Sequence, residues 1–439
     1  MKMEFTYDDF VNHYADDPSW LPLMPLEPWK CVDQSKFPSD AETIDLNIRK
    51  TMDALEKRMG GEYYSKFRRA QALSQGYGQK VFPAYGLLFL DVACEDWLSL
   101  VDFHKGFGRD HSVHQPLTAY IVSKLLGGGV PEKAFQISGV SILNKALDAI
   151  TTGVDAKYLL DRLQHYDAGS PLLQGNSNRE LWKQVFYQTA IITAMYHDLG
   201  YPWQFIERMH DFLKDDILLC GRLNLDDDPA RINPVVNKYI DEHQEQLMFR
   251  PFYDYGRGGL TSANINRKVF EESLHSSHGV PGALAYWAYN NAFRLADGIS
   301  TAGLIAFCQE WSSMAILNHD MLKAYKRGGS GYARLDFNAD PLSFIIALAD
   351  TLEDFNRPNA TIKADDSING CGIAYSFPSL SVELEETEGD AELRYQIVPE
   401  QKETQEKYKS DDQRDLFNQP NGYFSLPSIG LRSLTIKCK

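Results

Sequence analysis

The sequence predicts a mainly α-helical body with a small α+β unit at its C-terminal end. Apolar residues recur at helical spacing up to about residue 355, the texture turns to alternation after about residue 360, and no internal repeat interrupts either part. Residues 1–40 are rich in Pro, Trp and Asp (Trp20, Pro22, Pro25, Pro28, Trp29) and read as an irregular arm. Residues 41–59 place Ile44, Leu46, Ile48, Met52 and Leu55 on a helix, so 1–100 is expected to be an arm and helices packed on the body. The body, 101–360, has further helical stretches at 115–126, 131–149, 180–197, 263–275, 280–296, 300–324 and 341–355, with an insertion around 125–180. The stretch at 341–355 has a start signal, Asp340 as N-cap followed by Pro341 at the first helical position. A boundary falls near residue 365, where Asp365-Asp366 and Asn369-Gly370 mark a loop. Ser381–Leu384 then alternates, Glu388-Gly389-Asp390 turns, and Leu393–Val398 alternates back, which reads as a hairpin. Residues 400–416 read as a polar helix and 431–436 as a last strand, completing a unit at 366–439.

Composition narrows the function classes. Lys and Arg number 44 against 60 Asp and Glu, a formal net charge of −16. Such a chain lacks the cations that release counterions from a nucleic-acid polymer, so that partner is not expected. A small anion remains a candidate wherever a local patch or bound metals reverse the sign. No apolar run reaches the length of a membrane span, and Met1–Phe5 has no apolar signal-peptide core. The six cysteines (Cys31, Cys94, Cys220, Cys308, Cys371, Cys438) form no CxxC pair. Reduced, mostly buried thiols in a cytoplasmic protein are therefore expected, with no membrane partner and with homo-oligomer formation left open. No Walker loop, GxSxG or well-placed GxGxxG is present.

Five segments carry the chemistry. An apolar helix from Ala190 delivers His197-Asp198 at its C-terminal end, with Gly200 and Pro202 terminating it. Upstream, His111 and His114 stand three apart on one helical turn. His278 opens an Ala- and aromatic-rich helix, and His319 lies in or ends another apolar one. Asp350 sits in the middle of the apolar run Phe344–Leu352, where an uncompensated carboxylate would cost several kcal/mol. The plainer readings are a satisfied core histidine in each case and, for Asp350, a buried salt bridge to Arg357.

The order His, His-Asp, His, His, Asp resembles the HD-domain superfamily, metal-dependent phosphohydrolases built on a helical bundle. The resemblance covers roughly residues 104–358. It implies His114, His197, Asp198 and Asp350 as the metal ligands of the H…HD…D set, with His278 and His319 as the extra ligands of two-metal members. His111 then matches the proton-donating histidine of the cyclic-nucleotide phosphodiesterase branch. An orienting role beside His114 is the alternative. Many two-metal members have a lysine shortly after the doublet, where this chain has Tyr201. Gly200-Tyr201-Pro202 follows the doublet too closely to indicate a cyclic di-GMP hydrolase.

Four imidazoles and two carboxylates suit one or two divalent transition metal ions (Mn, Fe, Zn, Co or Ni) better than Ca or Mg. The implied chemistry has Asp198 bridging two metals and a metal-activated hydroxide attacking a small phosphoester, a nucleotide or cyclic nucleotide. Lys105, Arg109, Arg357 and Tyr201 are candidate substrate contacts, the cations as phosphate clamps. The nearby aromatics Tyr201, Trp203, Phe205, Tyr286 and Trp287 are either a base-stacking set or simply core. The loop Arg327–Gly331 reads as a connector near the site, with a lid as the alternative. Two rival functions stay open. One is an HD-type di-iron oxygenase acting on a small polar substrate, and the other a non-catalytic nucleotide-sensing domain.

Overall fold

A computed structural model of the chain describes residues 1–6, 9, 111–153, 156–198, 200, 278–279, 282–283, 286, 303–327, 335–353, 361–365, 370–374 and 379–439. The helices expected at 41–59 and 263–275, and most of 280–296, lie outside them. The described elements are, in chain order, β1 (Lys2–Thr6), α1 (His111–Leu125), β2 (Gln136–Ile137), β3 (Val140–Ser141), α2 (Ile142–Thr151), α3 (Ala156–Tyr166) and α4 (Arg179–Tyr196). There follow α5 (Gly303–Arg327), α6 (Pro341–Leu352), β4 (Thr361–Asp365), β5 (Gly370–Ala374), β6 (Ser379–Thr387), β7 (Asp390–Ile397), α7 (Lys402–Asp412), α8 (Leu426–Ile429) and β8 (Ser433–Cys438). This part of the chain is mainly α. No helix in it is long and apolar enough to cross a membrane.

Helices α1, α4, α5 and α6 pack on one another. The aromatic side chains of α4 and α5 lock that contact, with Trp182 set edge-on to Trp311 at 6.4 Å and Phe186 tilted against Trp311 at 5.7 Å. Each such fully buried side chain contributes about 1.5–3 kcal/mol relative to an exposed one. Helix α6 begins as its sequence signals, with Asp340 Oδ1 accepting the Ser343 N–H at 3.1 Å and Pro341 at the first helical position. Such a cap contributes about 1 kcal/mol.

The stretch 131–149 is not one helix. Gln136–Ile137 and Val140–Ser141 form a tight antiparallel hairpin, and the helix starts only at Ile142. Ser138 and Gly139 turn with φ of 52° and 77°, which helical backbone does not allow. The hairpin is held from far away, because Glu386 on β6 accepts the Ser138 N–H at 3.2 Å and the Gly389 N–H at 2.7 Å. Within the insertion, the helix α3 is followed by a 3-10 turn at Pro171–Asn178.

The C-terminal hairpin forms as expected, β6 and β7 joined by Glu388-Gly389 with both φ positive (53° and 86°). The sheet order is β1-β6-β7-β8, with β8 parallel to β7 after a crossover through α7. Its outermost strand corrects the irregular-arm reading at Lys2–Thr6, which pairs antiparallel with β6. The signal was present as alternation, Met3 and Phe5 turned inward between Lys2, Glu4 and Thr6, but its partner lies far along the chain. Val382, Leu384, Leu393 and Leu434 of the sheet join Phe135, Ile142, Phe344 and Leu348 in one apolar cluster. The boundary near residue 365 therefore marks a change of texture and leaves the core continuous.

Burial also fixes the state of Cys308 on α5, whose thiol is pushed up to about 12 by loss of solvation. A thiol reagent applied to the native protein at neutral pH should leave Cys308 unmodified by mass spectrometry and label it only after denaturation. Native labelling at the rate of an open thiol would contradict this placement.

Candidate metal centre

Four helices and one short segment deliver side chains to a single buried point. His114 comes from the first turn of α1, and His197 and Asp198 from the end of α4, where His197 is the C-cap residue. His319 lies on α5 and Asp350 on α6. His278 immediately precedes helical backbone at Gly279, and its carbonyl accepts the Gly282 N–H at 3.0 Å.

The six residues singled out in the sequence converge. His114 Nε2 lies 3.1 Å from His197 Nε2, 3.1 Å from Asp350 Oδ1 and 3.3 Å from Asp198 Oδ2. On the other side of Asp198, Oδ1 lies 3.0 Å from His278 Nε2, 3.6 Å from His319 Nε2 and 3.4 Å from His197 Nε2. His278 Nε2 and His319 Nε2 are 3.0 Å apart. Two halves thus meet at one carboxylate, His114 and Asp350 on one side, His278 and His319 on the other, with His197 beside both. The donor atoms of His114, His197 and Asp350, and those of His197, Asp198 and His319, each fall within 4.8 Å of one another.

The outer ring nitrogens decide the tautomers. His197 Nδ1 faces Ala194 O at 2.7 Å and His319 Nδ1 faces Ile316 O at 2.6 Å. A carbonyl oxygen only accepts, so both rings carry a proton on Nδ1 and turn Nε2 inward. His114 Nδ1 meets Glu353 Oε2 at 2.6 Å, and His278 Nδ1 meets Asp320 Oδ2 at 3.1 Å. The centre is therefore a set of inward ring nitrogens and carboxylate oxygens at near-contact distances. Cations, whether protons on the rings or metal ions, would satisfy that arrangement.

Protons are a poor solution at the fully buried His319. Burial pushes His319 below the ordinary histidine value, the neighbouring His278 and His197 push the same way, and the hydrogen bond to Asp198 opposes them. At His197 burial acts downward too, but the charges of Asp198 and Asp350 prevail and raise it. Metal ions fit the donor set better, since nitrogen and oxygen ligands without sulfur suit the borderline divalent ions. The four carboxylates Asp198, Asp350, Glu353 and Asp320 also match two divalent ions in formal charge.

Solvent reaches one edge of the centre. The side chains of Asp350, His278 and Asp320 are 16%, 10% and 18% exposed, whereas those of His114, His197, Asp198 and His319 lie between 0% and 2%. Further out, the C-terminal unit braces two of the ligand helices. Tyr423, kept neutral because burial raises its pKa well above the usual value, donates to Asn318 O at 2.7 Å on α5. Tyr395 donates to Thr351 O at 3.2 Å, next to Asp350.

The remaining expectations divide. His111 begins α1, three residues before His114, but its side chain lies outside the described residues, as do Lys105, Arg109, Tyr201 and Arg357. Of the aromatic set, Tyr286 is core: it is 2% exposed and tilted against Tyr196 at 5.6 Å. Sequence reasoning missed Glu353 and Asp320. Both stand next to predicted ligands, Glu353 three residues after Asp350 and Asp320 directly after His319. That proximity was the only signal, because the imidazole each one faces comes from elsewhere in the chain. No protein-family model, curated protein or solved structure matches this chain. The functional reading rests on the site.

Proposed function

We propose that the chain is a metal-dependent phosphohydrolase or phosphodiesterase of the HD type, acting on a small phosphoester such as a nucleotide or cyclic nucleotide. The observation that carries the proposal is Asp198 set between two histidine groups, one oxygen toward each. His114, His197, Asp350 and Asp198 would hold one ion, and His278, His319 and Asp198 the other. Bound there, two divalent ions supply an acidified water at neutral pH and neutralise the charge of a phosphoryl group. The chain's own residues do the rest. The carbonyls of Ala194 and Ile316 fix two rings in the tautomer that presents a lone pair. The partly exposed edge at Asp350 and His278 admits the phosphoester, while the buried remainder excludes bulk water. His111 is assigned the proton for the leaving oxygen, with Lys105, Arg109 and Arg357 as phosphate contacts.

The test is an anaerobic screen of metal-reconstituted protein against nucleotides and cyclic nucleotides. Metal-dependent release of phosphate or of a nucleoside monophosphate without oxygen is the expected result. Oxygen uptake coupled to substrate loss would replace the proposal with an oxygenase. Absence of turnover, with nucleotide still raising the melting temperature, would replace it with a sensing domain.

A further inference from the structure

We infer that Glu353 and Asp320 are positioning residues that each govern one half of the metal centre separately, Glu353 through His114 and Asp320 through His278. The inference rests on the metal reading above and is independent of the reaction catalysed.

The wiring repeats in the two halves. In each, one imidazole is held by a backbone carbonyl three residues earlier on its own chain, Ala194 O for His197 and Ile316 O for His319. Substitution cannot remove those acceptors. The other imidazole in each half is held by a side-chain carboxylate, at 2.6 Å for Glu353 on His114 and 3.1 Å for Asp320 on His278. Each half thus has one fixed ring and one ring whose orientation and basicity depend on a replaceable charge.

The carboxylates also tie elements together. Glu353 is the C-cap residue of α6, the helix that supplies Asp350, and it reaches His114 on α1. Asp320 follows His319 on α5 and grips His278 twice, accepting from its ring and from its backbone N–H at 3.2 Å. In both halves, the helix that gives one ligand also holds a second ligand delivered from another part of the chain. The side chain of Glu353 is only 1% exposed, a placement that is costly for a carboxylate unless a positively polarised partner compensates it. An imidazole bound to a cation is such a partner. A carboxylate behind a ligating histidine raises the ring's donor strength, and its loss typically weakens metal binding about 10–100-fold.

The test strips the full-length protein with a chelator and titrates it with Co(II), following heat, metal stoichiometry and the visible ligand-field bands. The wild type should hold two ions. Glu353→Gln, which keeps the shape and an acceptor but removes the charge, should weaken one ion by about 10–100-fold and leave the other within about threefold. Asp320→Asn should do the same to the other ion, and each variant should shift a different set of bands. If Glu353→Gln does not fold, Glu353→Asp, with the charge kept on a shorter arm, should weaken the same ion by a smaller factor. Two ions bound as tightly in both single variants as in the wild type would overturn the inference, as would equal weakening of both ions by either variant. A wild type that holds fewer than two ions would overturn the two-metal reading together with it.

Discussion

On the proposed two-metal reading, Asp198→Ala should cost the protein both metal ions and all turnover in one step. The side chain is 1% exposed and sets one oxygen toward His114 and the other toward His278 and His319. No other described residue faces both halves in this way. Without it one half keeps His114, His197 and Asp350 and the other only His278 and His319, and the negative charge that would draw two cations together is gone. Asp198→Asn separates charge from shape, since the amide fills the same space. The two variants should look alike in metal content, measured by elemental analysis after gel filtration, and alike in activity. Measuring their metal-free melting temperatures beside that of the metal-free wild type separates loss of the ions from loss of the fold. The rise in melting temperature on adding metal should vanish in both. Metal content or turnover that survives Asp198→Ala means that this centre is not the one at work.

The second large effect belongs to a residue without a side chain. A Cβ at Gly200 would overlap the carbonyl oxygen of His278 and come within 2.7 Å of Gly282 N. Both neighbours are backbone, so neither can swing aside. Gly200→Ala must therefore push the segment after the His197-Asp198 doublet away from the segment that carries His278. Overpacking of this kind costs about 1–3 kcal/mol and sometimes more. The separation falls on the contact between Asp198 Oδ1 and His278 Nε2, now 3.0 Å. The expected result is a lower melting temperature together with loss of one ion, the one shared by His278 and His319. An unchanged melting temperature would show that the two segments are not in close contact.

How much of this could be read in advance depended on where the partner lay. The six converging residues were legible because each sits at a place where its type is costly or conspicuous, such as a carboxylate inside the apolar run Phe344–Leu352. Asp340 and Pro341 announced the start of α6, and Glu388-Gly389 the hairpin turn, since local backbone chemistry decides both. Glu353 and Asp320 were not legible as orienting groups, because a carboxylate beside a ligand has no sequence signal for the ring it will face. The hairpin at Gln136–Ser141 was hidden for a related reason: its apolar residues also fit helical spacing, and the acceptor that pins it is Glu386. Strand β1 failed as a prediction because five alternating residues mean little until β6 is known to lie beside them.

That pairing has a consequence for how the molecule comes to be. Thr6 pairs with Ser381, 375 positions later (381 − 6), so the early strand leaves the ribosome long before its neighbour exists. Closing so long a loop is slow, and contacts this remote in sequence form late in folding. Every ligand from His114 to Asp350 is also translated before Tyr395 and Tyr423, which brace α6 and α5 from behind. On the metal reading, the spacing of those side chains would be fixed last, when the sheet closes behind α5 and α6.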